Sequence, residues 1–365
     1  MDFTLDEDQR AFGDSVSELL ADRFATAARS AYDEADGNGH PDKLWHAMGQ
    51  QGWLAVGTPE RFGGLGLGLV DTQIVARALG GAAVPGPWLD STLAAEAVRV
   101  AGDESQQQQW LPGLATGDLV GAHALEQSVR IAGGAVSGRL SRVGYGLVAD
   151  LLVVTDGGAI GVVDLHGGVD LDGGVDLDGR GVRITPQRQY DLGTRMAVVE
   201  LAEAPVTVLA QGSAEVLADL LGRGAVLAAA DLVGIGRACL TRTIAYDSQR
   251  VQFGRPVGSF QALKHELANL HVAVTMAEQA VLFAAHAIDV SDPDAELAVA
   301  VAKSKASATA KLASAAMIQF HGGIGFTWEH DAHFYFKRAK RLAATFGDAE
   351  FHRERIVQLL MDGDA

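Results

Sequence analysis

The stretch richest in ligand-binding side chains is Arg250-Val251-Gln252-Phe253-Gly254-Arg255-Pro256-Val257-Gly258-Ser259-Phe260-Gln261. It sits in a Gly/Pro break between two long helical patterns. An arginine there can clamp a pyrophosphate through two charge-assisted hydrogen bonds. Phe253 can pack against a flat ring. Gln261 falls near the next helix start, where polar groups meet phosphate or ribose. By itself the pattern is more often a surface ion pair between helices. A second stretch, Gln319-Phe320-His321-Gly322-Gly323-Ile324-Gly325-Phe326, places three glycines in four positions. Glycine tolerates positive φ and lets a ligand approach the backbone. Taken alone, this run reads as a helix stop, with His321 as a packed or capping residue.

Helical spacing surrounds both stretches. Apolar residues recur with the helical period over 213–249, 259–289 and 293–319, and shorter helices are predicted near 328–341 and 347–361. Asp292-Pro293 predicts a helix start, with a cap followed by Pro in the first turn. Long helices with short joints predict a bundle. The chain also begins helically, to about residue 115. Thr4 and Glu7 have capping-box spacing, and Leu5, Phe12, Val16, Leu19 and Leu20 follow on one face. Further helices are predicted near 41–51, 70–80, 88–101 and 104–115, punctuated by Phe62-Gly63-Gly64-Leu65-Gly66 and Pro85-Gly86-Pro87.

Between about 117 and 210 the character changes. Short β-prone runs, such as Leu151-Leu152-Val153-Val154 and Ala197-Val198-Val199-Glu200-Leu201, alternate with Gly and Asp and predict a small antiparallel sheet domain. Gly167-Gly168-Val169-Asp170-Leu171-Asp172 recurs as Gly173-Gly174-Val175-Asp176-Leu177-Asp178. The closing Glu of a calcium loop is absent, so a duplicated hairpin or loop is expected.

Composition excludes several classes. Lys plus Arg is 29, Asp plus Glu is 46, and the net charge is −17 over 365 residues. A nucleic-acid binder would need a basic face. The single cysteine, Cys239, lies in an apolar helical stretch and reads as a buried structural thiol, compatible with a reducing cytoplasm. The N-terminus lacks signal-peptide features. No apolar run free of charge and Gly reaches the roughly 20 residues of a membrane span. A soluble, cytoplasmic protein is expected.

Together, and in this order, the two stretches resemble the C-terminal domain of the acyl-CoA dehydrogenase family. Phe62-Gly63-Gly64-Leu65-Gly66 resembles that family's Tyr/Phe-Gly-Gly-x-Gly loop. The resemblance covers nearly the whole chain and implies an α+β fold: an N-terminal helical domain (1–116), a middle β domain (117–211) and a C-terminal four-helix bundle (212–365). It implies FAD, an acyl-CoA thioester substrate, and electron-transfer flavoprotein as electron acceptor. In the family a carboxylate removes the α-proton while flavin N5 takes the β-hydride, and the C-terminal domain reaches a neighbour's FAD across a dimer interface. Carried over by motif, Arg250 and Gln261 would meet the pyrophosphate and its surroundings. Phe253 would pack on the adenine or flavin side, and Gln319, Gly322 and Gly323 would touch the adenosine end.

Other family elements are missing. The Thr-Glu-Pro-x-x-Gly-Ser-Asp type segment is replaced by Ala122-His123-Ala124-Leu125-Glu126-Gln127-Ser128-Val129-Arg130. The Glu can be retained there, but the Pro, the Gly and the Ser-Asp pair are gone. Asp150-Leu151-Leu152-Val153 stands where a Trp-Ile-Thr/Ser motif would cover the flavin. After the Lys337-Arg338-Ala339-Lys340 helix, the position of the usual base, before Gly347, is Phe346. The alternative base position on an earlier helix falls near Gly224, beside Arg223. Asp348 and Glu350 are the remaining candidates, while Glu329 and Asp331 read as helix starters. Elements serving a neighbour's FAD survive and those serving the chain's own flavin are lost. The stretch 321–331 resembles a branch of actinobacterial α2β2 pairs acting on CoA thioesters of steroid side chains. The implied protein is the base-lacking subunit of such a pair, inactive alone, with a homologous partner supplying the catalytic Glu. The alternatives are a self-sufficient enzyme using Asp348 or Glu350, a non-catalytic scaffold subunit, and a flavin monooxygenase on the same fold.

Overall fold

The computed structural model describes residues 4–23, 41–165, 175–177 and 180–362. The chain divides into two compact units, one formed by 1–22, 69–84 and 225–365, the other by 23–68 and 85–224. The element order is helical, then β, then helical.

The helical unit contains α1 (Glu7–Arg23) and, further along, α3 (Leu69–Gly81). Helix α1 opens with a capping box, but not the expected one. Gln9 N donates to Asp6 Oδ1 at 2.8 Å while Asp6 N donates to Gln9 Oε1 at 3.2 Å. Thr4/Glu7 and Asp6/Gln9 share the same spacing. The carboxylate prevails because an anion is favoured at a helix N-terminus.

The long helices are α6 (Ala214–Gln249), α7 (Gln261–Asp289) and α8 (Ala295–Phe320), followed by α9 (Ala332–Leu342) and α10 (Ala349–Asp362). Residues of α6 from Ala225 on belong to the helical unit. Its core is rich in small residues: Ala228–Ala230 of α6 and Ala302, Ala306, Ala310 and Ala313 of α8 are essentially fully buried, so helices can approach closely. Glu278 of α7 bonds Arg77 of α3 and Arg237 of α6, each at 2.6 Å. The Asp289 carboxylate accepts from Leu69 N and Val70 N, satisfying the free N–H groups at the start of α3. Arg338 of α9 makes a buried bidentate pair with Asp231 of α6 and donates to Val84 O at 2.6 Å. Helix α8 starts later than Asp292-Pro293 suggests. Asp292 Oδ1 accepts from Asp294 N at 2.8 Å, and this turn places Pro293 ahead of the helix rather than in its first turn. Helix α7 is, among the described residues, the one helix long and apolar enough to cross a membrane by length and composition. In this fold it lies against α3 and α8. Cys239 is buried, and burial pushes its thiol up to about 12, so it is an inert packing residue.

The second unit carries α2 (Asp42–Gln50), α4 (Trp88–Ala101), α5 (Glu104–Thr116) and two sheets. The first sheet joins β1 (Gly121–Ser128), β4 (Leu151–Thr155), β5 (Ile160–Asp164) and β9 (Thr207–Val208) in the order β1-β4-β5-β9. The second joins β2 (Arg130–Ala132), β3 (Ala135–Gly144), β8 (Met196–Pro205), β7 (Val182–Gln187) and β6 (Val175–Leu177) in the order β2-β3-β8-β7-β6. Alternation along β4 explains its unbroken apolar sequence. Leu152 and Val154 join Leu140, Val199 and Leu201 of the second sheet in one core. Leu151 and Val153 join Val98, Leu111 and Leu114 of the covering helices in another. A strand buried on both faces has no polar side. The expectation of a small antiparallel sheet domain is corrected in one respect: among the described residues its strands form two sheets, and β1 pairs with β4 in parallel. Of the repeat at 167–178, only Val175–Leu177 lies among the described residues, as β6.

Candidate functional site

The first candidate stretch grows from the end of α6. Arg250 N donates to Tyr246 O, and Arg250 O accepts from Val257 N at 2.8 Å. Between them β10 (Val251–Gln252) and β11 (Arg255–Pro256) form a hairpin with Gln252 opposite Arg255. Its two central residues, Phe253 (φ 54°) and Gly254 (φ 76°), are both left-handed, as a two-residue primed turn requires. A bulky aromatic residue there is strained, yet Phe253 is 92% exposed. It touches Phe260 edge-on with centroids 6.2 Å apart, and the Arg255 guanidinium lies 4.1 Å over the Phe260 ring. Helix α7 then begins at Gln261 with no side chain capping its first N–H groups. Arg250 and Gln261 are both exposed.

The second stretch ends α8. His321 is the C-cap, and a short 3-10 turn runs from Gly322 to Phe326. Gly322 has φ 62°, and a Cβ added at Gly322 or Gly323 would meet nothing within 4 Å. A Cβ at Gly325 would come 2.5 Å from Ile318 O, so this third glycine serves packing. Gln319, Gly322 and Gly323 are exposed. The second stretch meets the last turns of α6 through side chains the sequence did not single out as a contact. Tyr246 stacks on His321 with centroids 4.4 Å apart, and His330 stands 4.4 Å from His321. His321 itself is buried, with Nδ1 2.7 Å from Met317 O. It is a packed residue that also caps the helix.

An exposed guanidinium, an uncapped helix start and bare glycine backbone are each chemically able to meet a phosphate-bearing group. Strand β1 of the second unit offers less. The Gln127 amide is spent on the backbone and hydroxyl of Ser141 and on Arg142 O. Arg130 pairs with Glu203 at 2.8 Å. Ala122, Ala124 and Leu125 are buried apolar residues, and Glu126 is exposed. Where the resemblance expected a tryptophan, Leu151 opens the wholly buried strand β4.

The loop between α9 and α10 is closed in a different way. Phe346 is buried and left-handed (φ 56°), and Gly347 follows at φ 83°. The fully buried Lys303 of α8 reaches in with its Nζ. It donates to Gly347 O at 2.9 Å, Ser307 Oγ at 3.2 Å and Ala343 O at 3.3 Å. His352 Nε2 lies 2.8 Å from Phe346 O. Burial holds this imidazole below its usual range, outweighing the hydrogen bond. Asp348 Oδ1 accepts from Glu350 N and Phe351 N. That hydrogen bonding, chiefly from Phe351, keeps its carboxyl below the usual range. Asp348 is therefore a helix cap, and Glu350 is exposed on α10. Asp331 precedes α9 without a side-chain cap bond and pairs instead with Arg242 at 3.3 Å. Gly224 is buried within α6. Its neighbour Arg223 donates to Asp219 and, at 3.4 Å, to Glu96, which also holds Arg99.

Lys303 and His352 carry this loop, and sequence reading passed over both. One signal existed: Lys303 falls on the apolar stripe of α8, among Val299, Ala302, Ala306 and Ala310. A cation on a buried stripe implies carbonyl or carboxylate partners.

Residues 6–118 match the N-terminal domain of acyl-CoA dehydrogenases, and residues 205–361 match the C-terminal domain. The acyl-CoA dehydrogenase IpdE2 of Mycobacterium tuberculosis is 33% identical, over 91% of each chain. Among solved structures, the ChsE4–ChsE5 complex from Mycobacterium tuberculosis superposes with a TM-score of 0.88 at 29% identity, covering 99% of each chain. A variant of the Tcur3481–Tcur3483 steroid ACAD, 24% identical, shares the fold with a TM-score of 0.87 over 99% of each chain. The chain belongs to the acyl-CoA dehydrogenase family of FAD-dependent oxidoreductases.

Proposed function

We propose that this chain is the base-lacking subunit of a heteromeric acyl-CoA dehydrogenase. The observation that carries the reading is the α9–α10 loop. Where the family's base stands before the glycine, there is a buried Phe346 whose carbonyl is bound by His352. No proton can be taken there. The nearby Asp348 is committed to capping α10. Gly224, at the alternative position, offers no carboxylate either.

In this reading Arg250 and Gln261 hold the pyrophosphate and its surroundings. Phe253 packs on the adenine or flavin side, and Gln319, Gly322 and Gly323 line the adenosine end of FAD carried mainly by a homologous partner subunit. FAD, when bound, supplies the hydride acceptor. This chain binds and orients it, and the partner's Glu removes the α-proton. The exposure of these six residues supports a contact made outward, and the similar ChsE4–ChsE5 structure, itself a complex of two proteins, supports a heteromeric assembly. The substrate is an acyl-CoA thioester, with a steroid side-chain thioester favoured by the stretch 321–331, and electron-transfer flavoprotein takes the electrons. The three-domain division at about 117 and 212 belongs to the same proposal.

Expression of the chain alone and together with its homologous partner tests this. The expected result is flavin and turnover only in the pair, with fewer flavins than chains. Full flavin content and turnover from the lone chain would overturn it.

A further inference from the structure

The contact between the end of α6, which leads into Arg250, and the glycine turn is built from a tyrosine and two imidazoles. Tyr246 lies on α6 one turn before Arg250, and its ring stacks on His321 at an interplanar angle of 22°. His321 immediately precedes Gly322-Gly323 and is only 4% exposed. His330 tilts against it at 51°. A carbonyl only accepts, so the contact of Nδ1 with Met317 O places the His321 proton on that nitrogen and leaves Nε2 bare in the neutral ring.

The charged and titratable groups around the stack come from every neighbouring element. Helix α6 supplies Tyr246 and Arg242, whose guanidinium lies over the Tyr335 ring of α9; the turn supplies Asp331 and α9 supplies His333, while Met317 O of α8 is the neutral acceptor. Burial holds both His321 and His330 below the usual imidazole range. For His321, Met317 opposes this and His330 and Arg242 add to it; for His330, Asp331 opposes and Arg242 and His333 add. A proton on either ring sets a cation against Arg242 and a second imidazole, with Asp331 already paired to Arg242.

We propose that the His321–His330 stack is a proton-sensitive positioning element. With both rings neutral it holds the glycine turn against the end of α6, so that Arg250 and Gly322-Gly323 address one dinucleotide. When protonated it parts the two segments and loosens their grip. The inference rests on the reading that these segments contact FAD. The stack touches no reacting atom, so it acts through the residues it positions.

The test uses the full chain and the assembled complex, with His330→Gln and His321→Phe as variants. The second keeps a ring on Tyr246 but takes no proton; the first guards against its failure to fold. From about pH 7.5 to about pH 5.5, the melting temperature of the unmodified chain should fall by roughly 2–4 °C more than that of either variant. In the complex, flavin fluorescence should report on the order of ten-fold weaker FAD retention over the same interval, flattened in His330→Gln. Equal pH dependence of melting in all three proteins overturns the inference. A difference in melting with pH-independent FAD retention overturns the link to FAD, while Arg250→Ala, which should weaken FAD at any pH, tests separately whether these segments hold it.

Discussion

The hairpin at 250–256, with the glycine turn at 322–326, and the loop at 343–348 belong to the same helical unit, yet they handle polar groups in opposite ways. In the first region Arg250, Gln261 and Gln319 stand exposed, and the glycine backbone is bare. In the second, Lys303, His352 and Asp348 are committed to carbonyls or N–H groups of the loop and the following helix. Both regions tolerate a left-handed phenylalanine, but Phe253 is almost wholly exposed and Phe346 is buried. Strained residues cluster at ligand clamps and active sites. Strain inside a pinned loop is held by packing. The surface proposed to meet FAD is open, and the position proposed for the missing base is filled by a buried ring.

The strongest way to break the contrast is to unpin the loop. Lys303→Met leaves Ala343 O and Gly347 O without their donor and should cost about 3 kcal/mol of stability in denaturant unfolding. Phe346→Glu comes next. It buries a carboxylate where an aromatic ring packed, should cost about 2 kcal/mol, and should give the lone chain no turnover. Turnover from that variant would show that the missing base alone silenced it. Arg250→Ala probes the open region. It should leave unfolding within about 0.5 kcal/mol of the parent while weakening FAD in the assembled complex roughly ten- to a hundred-fold.

His352 sharpens the comparison through pH. An unfolded imidazole takes its proton near 6.5, and the folded one only at lower pH. The unfolded chain therefore binds more protons as pH falls through 6.5. The contribution of His352 is full above that value and declines below it. His352→Gln should flatten that decline in melting temperature. The smallest effect is expected from Asp348→Asn, which retains a capping oxygen. Turnover of the complex should be unchanged, and its loss would favour Asp348 as a base after all.

Much of the fold was legible because it rests on local periodicity. The helices at 69–81, 88–101, 214–249 and 261–289 follow apolar spacing closely. Where two local signals competed, as with Thr4/Glu7 against Asp6/Gln9, sequence spacing could not choose between them. Nor could β-prone runs reveal that β1 and β4 run parallel, since pairing direction is fixed by a partner strand distant in sequence.

Residue type alone determined that Phe346 and Gly224 cannot abstract a proton, and that a Gly-rich turn and an Arg-bearing break were available to a ligand. Tertiary structure decided the rest. It brought Tyr246 onto His321, sent Lys303 under the α9–α10 loop, and turned Asp348 to the start of α10. These contacts join residues on different helices or follow a reversal of the chain. The direction of a side chain there depends on how helices pack, which no local pattern encodes.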